Sequence, residues 1–297
     1  MKLSICTPTY NRAHYLQRIY ESLKCQTCYD FEWIVVDDGS TDNTETVISN
    51  FIKQENPFNI IYLHKDNGGK HTALNYGVNH ANGDLFLIVD SDDYLKNNAV
   101  EVILSKTKDL SHEFAGIGFN KLFTDGKIVG STFVGDFVDC TSLERVKYNI
   151  NGDKAEVFFT SILKKYPFPV FENERFLPEA VVWNRIANAG LKIRWYNLGI
   201  YYCEYQEDGL SMNTNVYSNF NGYTLYIKEL NSYKQTALSE KIKNIGVYSY
   251  HAKILKVRNL DICKNIKTNL FVLFISRTLY SIKVRFFKNK RRKKLNI

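Results

Sequence analysis

Short apolar runs alternate with amphipathic helical patterns over the first 110 residues. The predicted strands are 3–7, 31–36, 60–64 and 85–89, and the predicted helices are 15–23, 44–52, 72–81 and 99–104. Strands that are separated by helices form right-handed crossovers, which place them parallel in one sheet with helices on both faces. The pattern therefore predicts an α/β fold with a mostly parallel sheet.

The pattern changes after about residue 110. Strand-like stretches lie at 116–123, 127–134, 192–196 and 200–205, and a helical pattern begins near Glu179. Asp125-Gly126 favours a hairpin between the first two stretches. We expect one domain over 1–212, made of halves 1–110 and 111–212, followed by a C-terminal helical appendage over 213–297.

Polar residues follow each of the four strands predicted in the first half. These strand ends are 7–12, 37–42, 65–70 and 90–93. The carboxyl ends of parallel strands meet at one edge of a sheet, and ligands of such sheets bind there. We therefore expect the four segments to form one site.

The fourth strand end is acidic, because Asp90, Asp92 and Asp93 directly follow an apolar strand. Carboxylates this close repel one another unless a cation lies between them. Mg²⁺ and Mn²⁺ favour such oxygen ligands and often share them with a diphosphate. The alternative is a solvated turn that opens the next helix. Asp93 is the less favoured ligand of the three, and we expect it to cap the helix entered around Asn97.

The net charge of +8 is unevenly distributed. Residues 262–297 contain eleven Lys or Arg and no Asp or Glu, so the rest of the chain is mildly acidic. No nucleic-acid-binding motif accompanies these charges, and we expect no nucleic-acid partner. The six cysteines lack a disulfide or zinc spacing, which favours reduced thiols. With no recognisable signal peptide or spanning segment, we expect a cytoplasmic location.

The C-terminal segment has the composition of an interfacial helix. Residues 269–287 combine aromatic and aliphatic side chains with Arg277, Lys283 and Arg285, and 288–294 is almost entirely basic. A helix of this kind lies on an anionic membrane. We expect peripheral contact with the inner face of the cell membrane, and the alternative is a core-packing helix with a solvated charged end.

Three segments together resemble a known family. Pro8-Thr9-Tyr10-Asn11-Arg12, residues 35–42 (Val-Val-Asp-Asp-Gly-Ser-Thr-Asp) and residues 89–93 (Val-Asp-Ser-Asp-Asp) are similar to the nucleotide-binding blocks of family 2 glycosyltransferases with the GT-A fold. The resemblance is dense from residue 3 to about 94, looser to about 212, and absent beyond. It implies a Rossmann-like GT-A sheet and an inverting, metal-dependent transfer of a sugar from a UDP-sugar to an acceptor hydroxyl in cell-surface glycan synthesis.

The resemblance assigns roles to the donor side of the site. Pro8, Thr9 and Tyr10, together with Asp38, hold the uracil and ribose. A carboxylate accepts hydrogen bonds from uracil N3 or a ribose hydroxyl but donates none, which discriminates among bases. The alternative for Asp38 is an Asx-turn to the amides of residues 39–41.

The other donor residues follow the third and fourth strands. Asn67 belongs to the third strand end, and Lys70 supplies a point charge suited to phosphate, unless it is simply a solvated lysine at a helix start. Many relatives carry an Arg just before the Asn of this helix, whereas this chain has Ala73-Leu74-Asn75. Lys70 is the candidate that replaces this missing cation. The resemblance implies that Asp90 and Ser91 contact the nucleotide-sugar, whereas Asp92 binds Mn²⁺ or Mg²⁺.

An acceptor hydroxyl needs a base to take its proton. Relatives carry an acidic pair at the start of a helix in the second half, and this chain has Glu179 followed by Ala180 in place of the second acid. Glu179 is our candidate base. The alternatives are that it only begins the helix or that another acid acts, namely Glu174, Glu207 or Asp208.

Two other classes of function stay open. A sugar-phosphate nucleotidyltransferase also uses acidic metal ligands on such a sheet, although it usually has a Gly-rich phosphate loop after the first strand. Ala180 makes a non-catalytic nucleotide-sugar-binding scaffold the other alternative. The acceptor is expected to be a glycan or a lipid-linked saccharide.

Overall fold

The computed structural model describes residues 2–204 and 215–294, and within them nine strands form one sheet. The strands are β1 (Leu3–Thr9), β2 (Phe31–Asp37), β3 (Asn59–His64), β4 (Leu85–Ile88), β5 (Tyr94–Leu95), β6 (Phe114–Leu122), β7 (Phe137–Cys140), β8 (Lys154–Phe159) and β9 (Lys192–Tyr202). Their order is β3-β2-β1-β4-β8-β6-β9-β5, and β7 also pairs with β9.

Ten α-helices accompany these strands in the described residues. They are α1 (Leu16–Lys24), α2 (Thr44–Ile52), α3 (Lys70–His80), α4 (Ala99–Thr107), α5 (Thr160–Lys165), α6 (Ala180–Asn188), α7 (Phe220–Ser232), α8 (Leu238–Ile254), α9 (Asn259–Asn265) and α10 (Leu270–Lys294). The predicted α/β class, with its helical C-terminal part, is confirmed.

The four strands predicted in the first half are parallel neighbours. β1 pairs with β2 and β4, and β2 pairs with β3. Thr9 lies opposite Asp37, and Asp37 lies opposite His64, so these strands end at the same edge. The edge that the sequence predicts as the site is therefore formed.

The second half of the sheet is mixed. β8 runs antiparallel between β4 and β6, whereas β6 and β9 are parallel. The apolar pattern did not indicate β8. The hairpin turn at Asp125-Gly126 forms, but the predicted strand 127–134 contributes only single bridges, such as Leu122 with Ile128. Irregular register between β6 and β9 explains why periodicity is a weak guide here.

The two sheet faces are covered differently. On one face, α1 buries Leu16, Ile19 and Leu23 in the main core, and Tyr20 stacks on Phe51 of α2 at 4.1 Å between ring centroids. Each such fully buried side chain stabilises the fold by about 1.5–3 kcal/mol.

The other face brings α3 close to the sheet. A Cβ at Gly77 would lie 2.6 Å from the Sγ atom of Cys6, so only glycine permits this approach. Gly69 has a φ of 92°, and a Cβ there would overlap the backbone of Arg175. This close approach holds the N-terminus of α3 beside the segment that leads into α6, which is where Lys70 and Glu179 lie.

The chain divides into two compact units, residues 1–214 and residues 215–297. The described part of the second unit is a helical bundle whose core includes Ile245, Tyr248 and Leu273. Close packing requires glycine at Gly246, since a Cβ there would lie 2.6 Å from the carbonyl oxygen of Ser276. In the residues that the structure describes, we find no helix with the length and apolar content needed to cross a membrane.

Candidate active site

The loops after β1 and β2 are bound to each other at the sheet edge. The backbone N–H of Asp38 donates to the carbonyl of Thr9 at 2.9 Å. The Asn11 side chain accepts a hydrogen bond from the N–H of Thr41 at 2.7 Å, and the Asn11 N–H donates to Ser40 Oγ at 2.8 Å. The predicted first and second strand ends therefore form one surface.

Asp38 anchors the third loop to this surface. Its buried carboxylate accepts hydrogen bonds from Lys65 Nζ at 2.6 Å and from the N–H groups of Gly68 and Gly69 at 3.0 and 2.7 Å. No bond of the Asx-turn considered for Asp38 is seen among the described contacts, and the N–H of Ser40 instead donates to Asp37 Oδ1, three residues earlier, at 2.8 Å. Contact of Asp38 with uracil or ribose stays a prediction.

Three buried polar atoms beside these loops lack a hydrogen-bond partner among the described residues. They are Thr9 Oγ1, Asn67 Oδ1 and His71 Nδ1. Buried polar atoms are nearly always bonded, so unpaired ones indicate a partner that comes from beyond the described residues, such as a bound ligand. Tyr10, by contrast, is exposed, and Pro8 continues β1 opposite Val36.

The acidic turn after β4 is surrounded by cations. Asp90 Oδ1 lies 2.5 Å from Lys70 Nζ, and Asp92 Oδ2 lies 2.6 Å from Arg12 Nη1. Burial disfavours the Asp90 anion, but the charges of Lys70 and Lys121 outweigh burial and hold the pKa of Asp90 at about 2. Ser91 is buried between the two acids. Both flanking carboxylates are thus paired with cations at the predicted site.

Asp93 does not cap the next helix, so that prediction is wrong. The helix α4 begins at Ala99, whereas the buried Asp93 accepts a hydrogen bond from the Tyr201 hydroxyl at 2.8 Å. Burial raises the pKa of Asp93 to about 7, although Lys121, 3.6 Å away, opposes the rise. Tyr201 arrives from β9, which no local pattern around Asp93 could indicate.

Lys70 joins the acidic turn to the start of α6. Its Nζ contacts Asp90 at 2.5 Å and Glu179 Oε1 at 2.8 Å, and its side chain is 23% exposed. Although burial opposes protonation, the two carboxylates raise the pKa of Lys70 further above its ordinary value. Lys70 is therefore an ion-paired cation rather than a solvated lysine at a helix start.

Glu179 lies at the N-cap position of α6 but makes no side-chain cap hydrogen bond. Its side chain is 32% exposed and points to Lys70. Glu174 is buried. Glu207 and Asp208, the other acids considered, lie outside the described residues. The geometry thus places Glu179 beside Asp90 through a shared lysine.

Several site residues had no predicted role. Lys121 of β6 lies 3.8 Å from Asp90 Oδ2 and 4.2 Å from the centroid of the Tyr201 ring. Its signal in the sequence is a lysine within an otherwise apolar strand. Burial lowers the pKa of His71, which therefore favours the neutral imidazole. In the sequence, His71 lies at the start of a helical pattern, and nothing there marks it as a residue of the site.

The residues of the acidic turn fit a divalent cation that takes only one or two of its ligands from the protein. The described residues contain no group of three side chains that could enclose a metal. Mg²⁺ and Mn²⁺ are commonly held by one or two carboxylates together with substrate phosphates rather than by a cage made only of protein. Asp92, supported by the ionised Asp90, offers that donor set.

Comparisons with known proteins agree with this architecture. The sequence profile of glycosyl transferase family 2 matches residues 4–131. Glycosyltransferase GlyA of Streptococcus pneumoniae serotype 4 is 28% identical over 181 residues, which are 59% of this chain and 26% of GlyA. The chain spans between about a quarter and a third of the length of the first curated relatives that it matches.

Two solved structures share the fold. S. aureus TarS 1–349 in complex with UDP-GlcNAc has a TM-score of 0.69 and 20% identity, covering 99% of this chain and 92% of that one. The mannosyltransferase PcManGT from Pyrobaculum calidifontis, in complex with GDP-Man and Mn²⁺, has a TM-score of 0.58 and 14% identity, covering 98% and 86%. Residues 4–131 therefore match a glycosyl transferase family 2 domain, and the chain shares the GT-A fold of these neighbours.

Proposed function

We propose that this protein is an inverting, metal-dependent glycosyltransferase that moves a hexosyl group from a UDP-sugar to an acceptor hydroxyl. The observation that carries the proposal is the ion-paired cluster of Asp90, Lys70 and Glu179 at the carboxyl edge of the parallel strands. Lys70 links Asp90 of the acidic turn to Glu179, which stands at the first position of the family's acidic pair. A sugar bound at this cluster can therefore contact both carboxylates.

The donor nucleotide binds across the loops after β1, β2 and β3. Thr9, Asn67 and His71 each have an unpaired buried polar atom that a base or ribose can satisfy. Asp38 supplies the acceptor for uracil N3 or a ribose hydroxyl, while Pro8 and Tyr10 complete the pocket. UDP-GlcNAc bound to TarS and GDP-Man bound to PcManGT support a nucleotide-sugar donor. The preference for uridine is part of the proposal.

The transfer is a single displacement. The acceptor oxygen forms a bond to the anomeric carbon, the bond from that carbon to the diphosphate breaks, and the hydroxyl proton passes to Glu179. Lys70 leaves its carboxylates for the departing diphosphate and stabilises its charge. A Mn²⁺ or Mg²⁺ held by Asp92, with Asp90 and Ser91 beside it, supplies further positive charge to the same leaving group when bound.

The test is a donor screen with the purified chain. UDP-sugars and GDP-sugars are incubated with Mn²⁺ and polyprenyl-linked or free glycan acceptors, and release of nucleoside diphosphate is measured. Transfer from a UDP-sugar supports the proposal. Pyrophosphate formation from a nucleoside triphosphate would favour a nucleotidyltransferase, and binding without release would favour a scaffold.

The C-terminal helix supports a location at an anionic membrane, on the cytoplasmic face. Phe271, Ile275, Leu279 and Ile282 form an exposed apolar stripe on α10, opposite the buried Leu273. Basic residues follow at 288–294. A stripe that continues into positive charge suits a leaflet of anionic lipid, which would bring a membrane-bound acceptor, such as a lipid-linked saccharide, to the enzyme.

This location predicts lipid-dependent binding. The full chain should sediment with phosphatidylserine-containing vesicles and much less with phosphatidylcholine alone, since each basic residue near the surface contributes about 1 kcal/mol. Phe271→Asp should reduce the bound fraction. The matched control, Val134→Asp, changes another exposed apolar residue outside the stripe and should bind as wild type does. Equal binding by both variants would contradict the location.

A further inference from the structure

Arg18 of α1 contacts the backbone of the acidic turn. Its Nη2 donates to the backbone carbonyl of Asp92. Its Nη1 pairs with Glu204 Oε2 at 2.7 Å, and its guanidinium carbon lies 5.0 Å from the centroid of the Tyr94 ring. One side chain therefore touches the turn, the strand that follows it, and the residue shortly after β9.

Other groups hold the rest of the turn, including the Tyr201 hydroxyl, which accepts a hydrogen bond from the N–H of Asp90 at 3.0 Å. The N–H of Asp93 donates to the carbonyl of Asp90 at 3.0 Å, and the N–H of Glu204 donates to Asp93 Oδ1 at 3.3 Å. Within the part of the chain that the structure describes, Arg18 is the residue whose side chain bonds the peptide carbonyl of Asp92 itself. Because the backbone sets the Cα–Cβ direction and limits the allowed rotamers, holding this peptide plane restricts the directions that the Asp92 carboxylate can take.

A guanidinium is suited to this position. Its planar fork donates in two directions at once and stacks on an aromatic face, which a lysine ammonium cannot do. The Tyr94 ring stacks on Tyr202 at 5.0 Å between centroids, so the surface beneath Arg18 is itself held by the pairing of β5 with β9. Arg18 thus connects the turn to a fixed part of the sheet.

The helix does not depend on Arg18 for its place. The Gln26 side chain donates to the carbonyl of Lys96 at 2.8 Å, and the Leu95 N–H donates to Ser22 Oγ at 3.3 Å. Together with the buried Leu16, Ile19 and Leu23, these contacts hold α1 against the segment after the turn. Replacement of Arg18, whose side chain is 35% exposed, should leave the fold intact.

We propose that Arg18 is a positioning residue, which sets the backbone of Asp92 so that its carboxylate can bind a divalent cation together with a nucleoside diphosphate. The inference rests on the proposed function. It assigns Arg18 a role in the affinity for the cation and diphosphate and no contact with the sugar, the base or the reacting atoms.

The test measures binding rather than turnover. Wild type, Arg18→Ala, Arg18→Lys and the control Gln17→Ala, which removes an exposed neighbour on the same helix, are titrated with UDP by calorimetry in excess Mn²⁺ and in chelator. Bound Mn²⁺ is counted separately by electron paramagnetic resonance in saturating UDP. Circular dichroism reports the fold, and uridine, which lacks phosphate, reports the base pocket.

Arg18→Ala should weaken Mn²⁺-dependent UDP binding by about 10-fold to 100-fold, as loss of an outer-shell partner does at other metal sites. Uridine binding should stay unchanged, Arg18→Lys should be intermediate, and Gln17→Ala should match wild type. Unchanged Mn²⁺-dependent affinity in Arg18→Ala would overturn the inference, and so would an equal loss of uridine binding. Failure of the wild type to bind UDP would contradict the proposed function, and this inference with it.

Discussion

The two halves of the α/β unit use their ion pairs differently. At the donor edge, cations from separate loops meet carboxylates at strand ends, as Arg12 meets Asp92. In the second half, Arg194 of β9 lies directly opposite Asp139 of β7 and pairs with both of its oxygens at 2.8 and 2.7 Å. We propose that a bound ligand replaces the first kind of pair, whereas the second kind links two neighbouring strands.

The largest expected effect is a loss of activity when a pair of the first kind is broken, compared with a pair of the second kind. Asp92→Ala should lower glycosyl transfer by about 100-fold to 1,000-fold, because the leaving group loses preorganised charge stabilisation. Its thermal stability should change little. Asp139→Ala, the matched control, should keep its activity and lose about 0.5–1 kcal/mol of stability, as a partly exposed cross-strand pair does. Activity assays and urea unfolding on both variants check this, and equal losses of activity would break the comparison.

The second prediction concerns the acceptor side. Glu179→Gln should lower kcat by about 100-fold to 10,000-fold, since general base catalysis is lost. UDP affinity should stay near that of the wild type, because Glu179 is placed on the acceptor side. Glu174→Gln serves as the comparison, since Glu174 is buried. A larger loss of kcat in Glu174→Gln than in Glu179→Gln would move the base to Glu174.

The smallest effect is on stability and depends on pH. Burial raises the pKa of Glu156 to about 7 from an ordinary 4.5, although Arg145, 3.4 Å away, partly opposes the rise. The folded chain then binds this proton more tightly than the unfolded chain does, so the free energy of unfolding falls as pH rises through this interval.

Glu156→Gln removes this ionisable group. It tests whether a carboxyl group of the second half affects stability. Between pH 5 and about 7.5, wild type should lose on the order of 1–3 kcal/mol more stability than the variant does. Urea unfolding at the two pH values measures the difference. A wild type and a variant with the same pH dependence would show that Glu156 ionises as it would in water.

The donor half could be predicted closely because its signals are local. Helix 44–52 was predicted as it is found, and all four parallel strands were found within two residues of their predicted ends. Apolar runs and polar strand ends lie within a few residues of each other, and parallel pairing then brings the ends together. The acidic turn was therefore predicted as part of the site.

The charges around that turn could not be predicted in the same way. Lys121 and Tyr201 reach Asp93 from β6 and β9, and Lys70 reaches Glu179 across more than a hundred residues of sequence. β8 joins β4 in the antiparallel direction, which periodicity does not encode. Such contacts depend on tertiary packing, which is why Asp93 was wrongly expected to cap a helix.

A crystal structure of the chain with Mn²⁺ and UDP tests the central claim most directly. We expect the diphosphate to lie between Lys70 and a Mn²⁺ bound by Asp92, with the uridine against Thr9, Asp38 and Asn67. A nucleotide bound elsewhere, or an acidic turn that still pairs only with Arg12 and Lys70 at saturating Mn²⁺ and UDP, would contradict it.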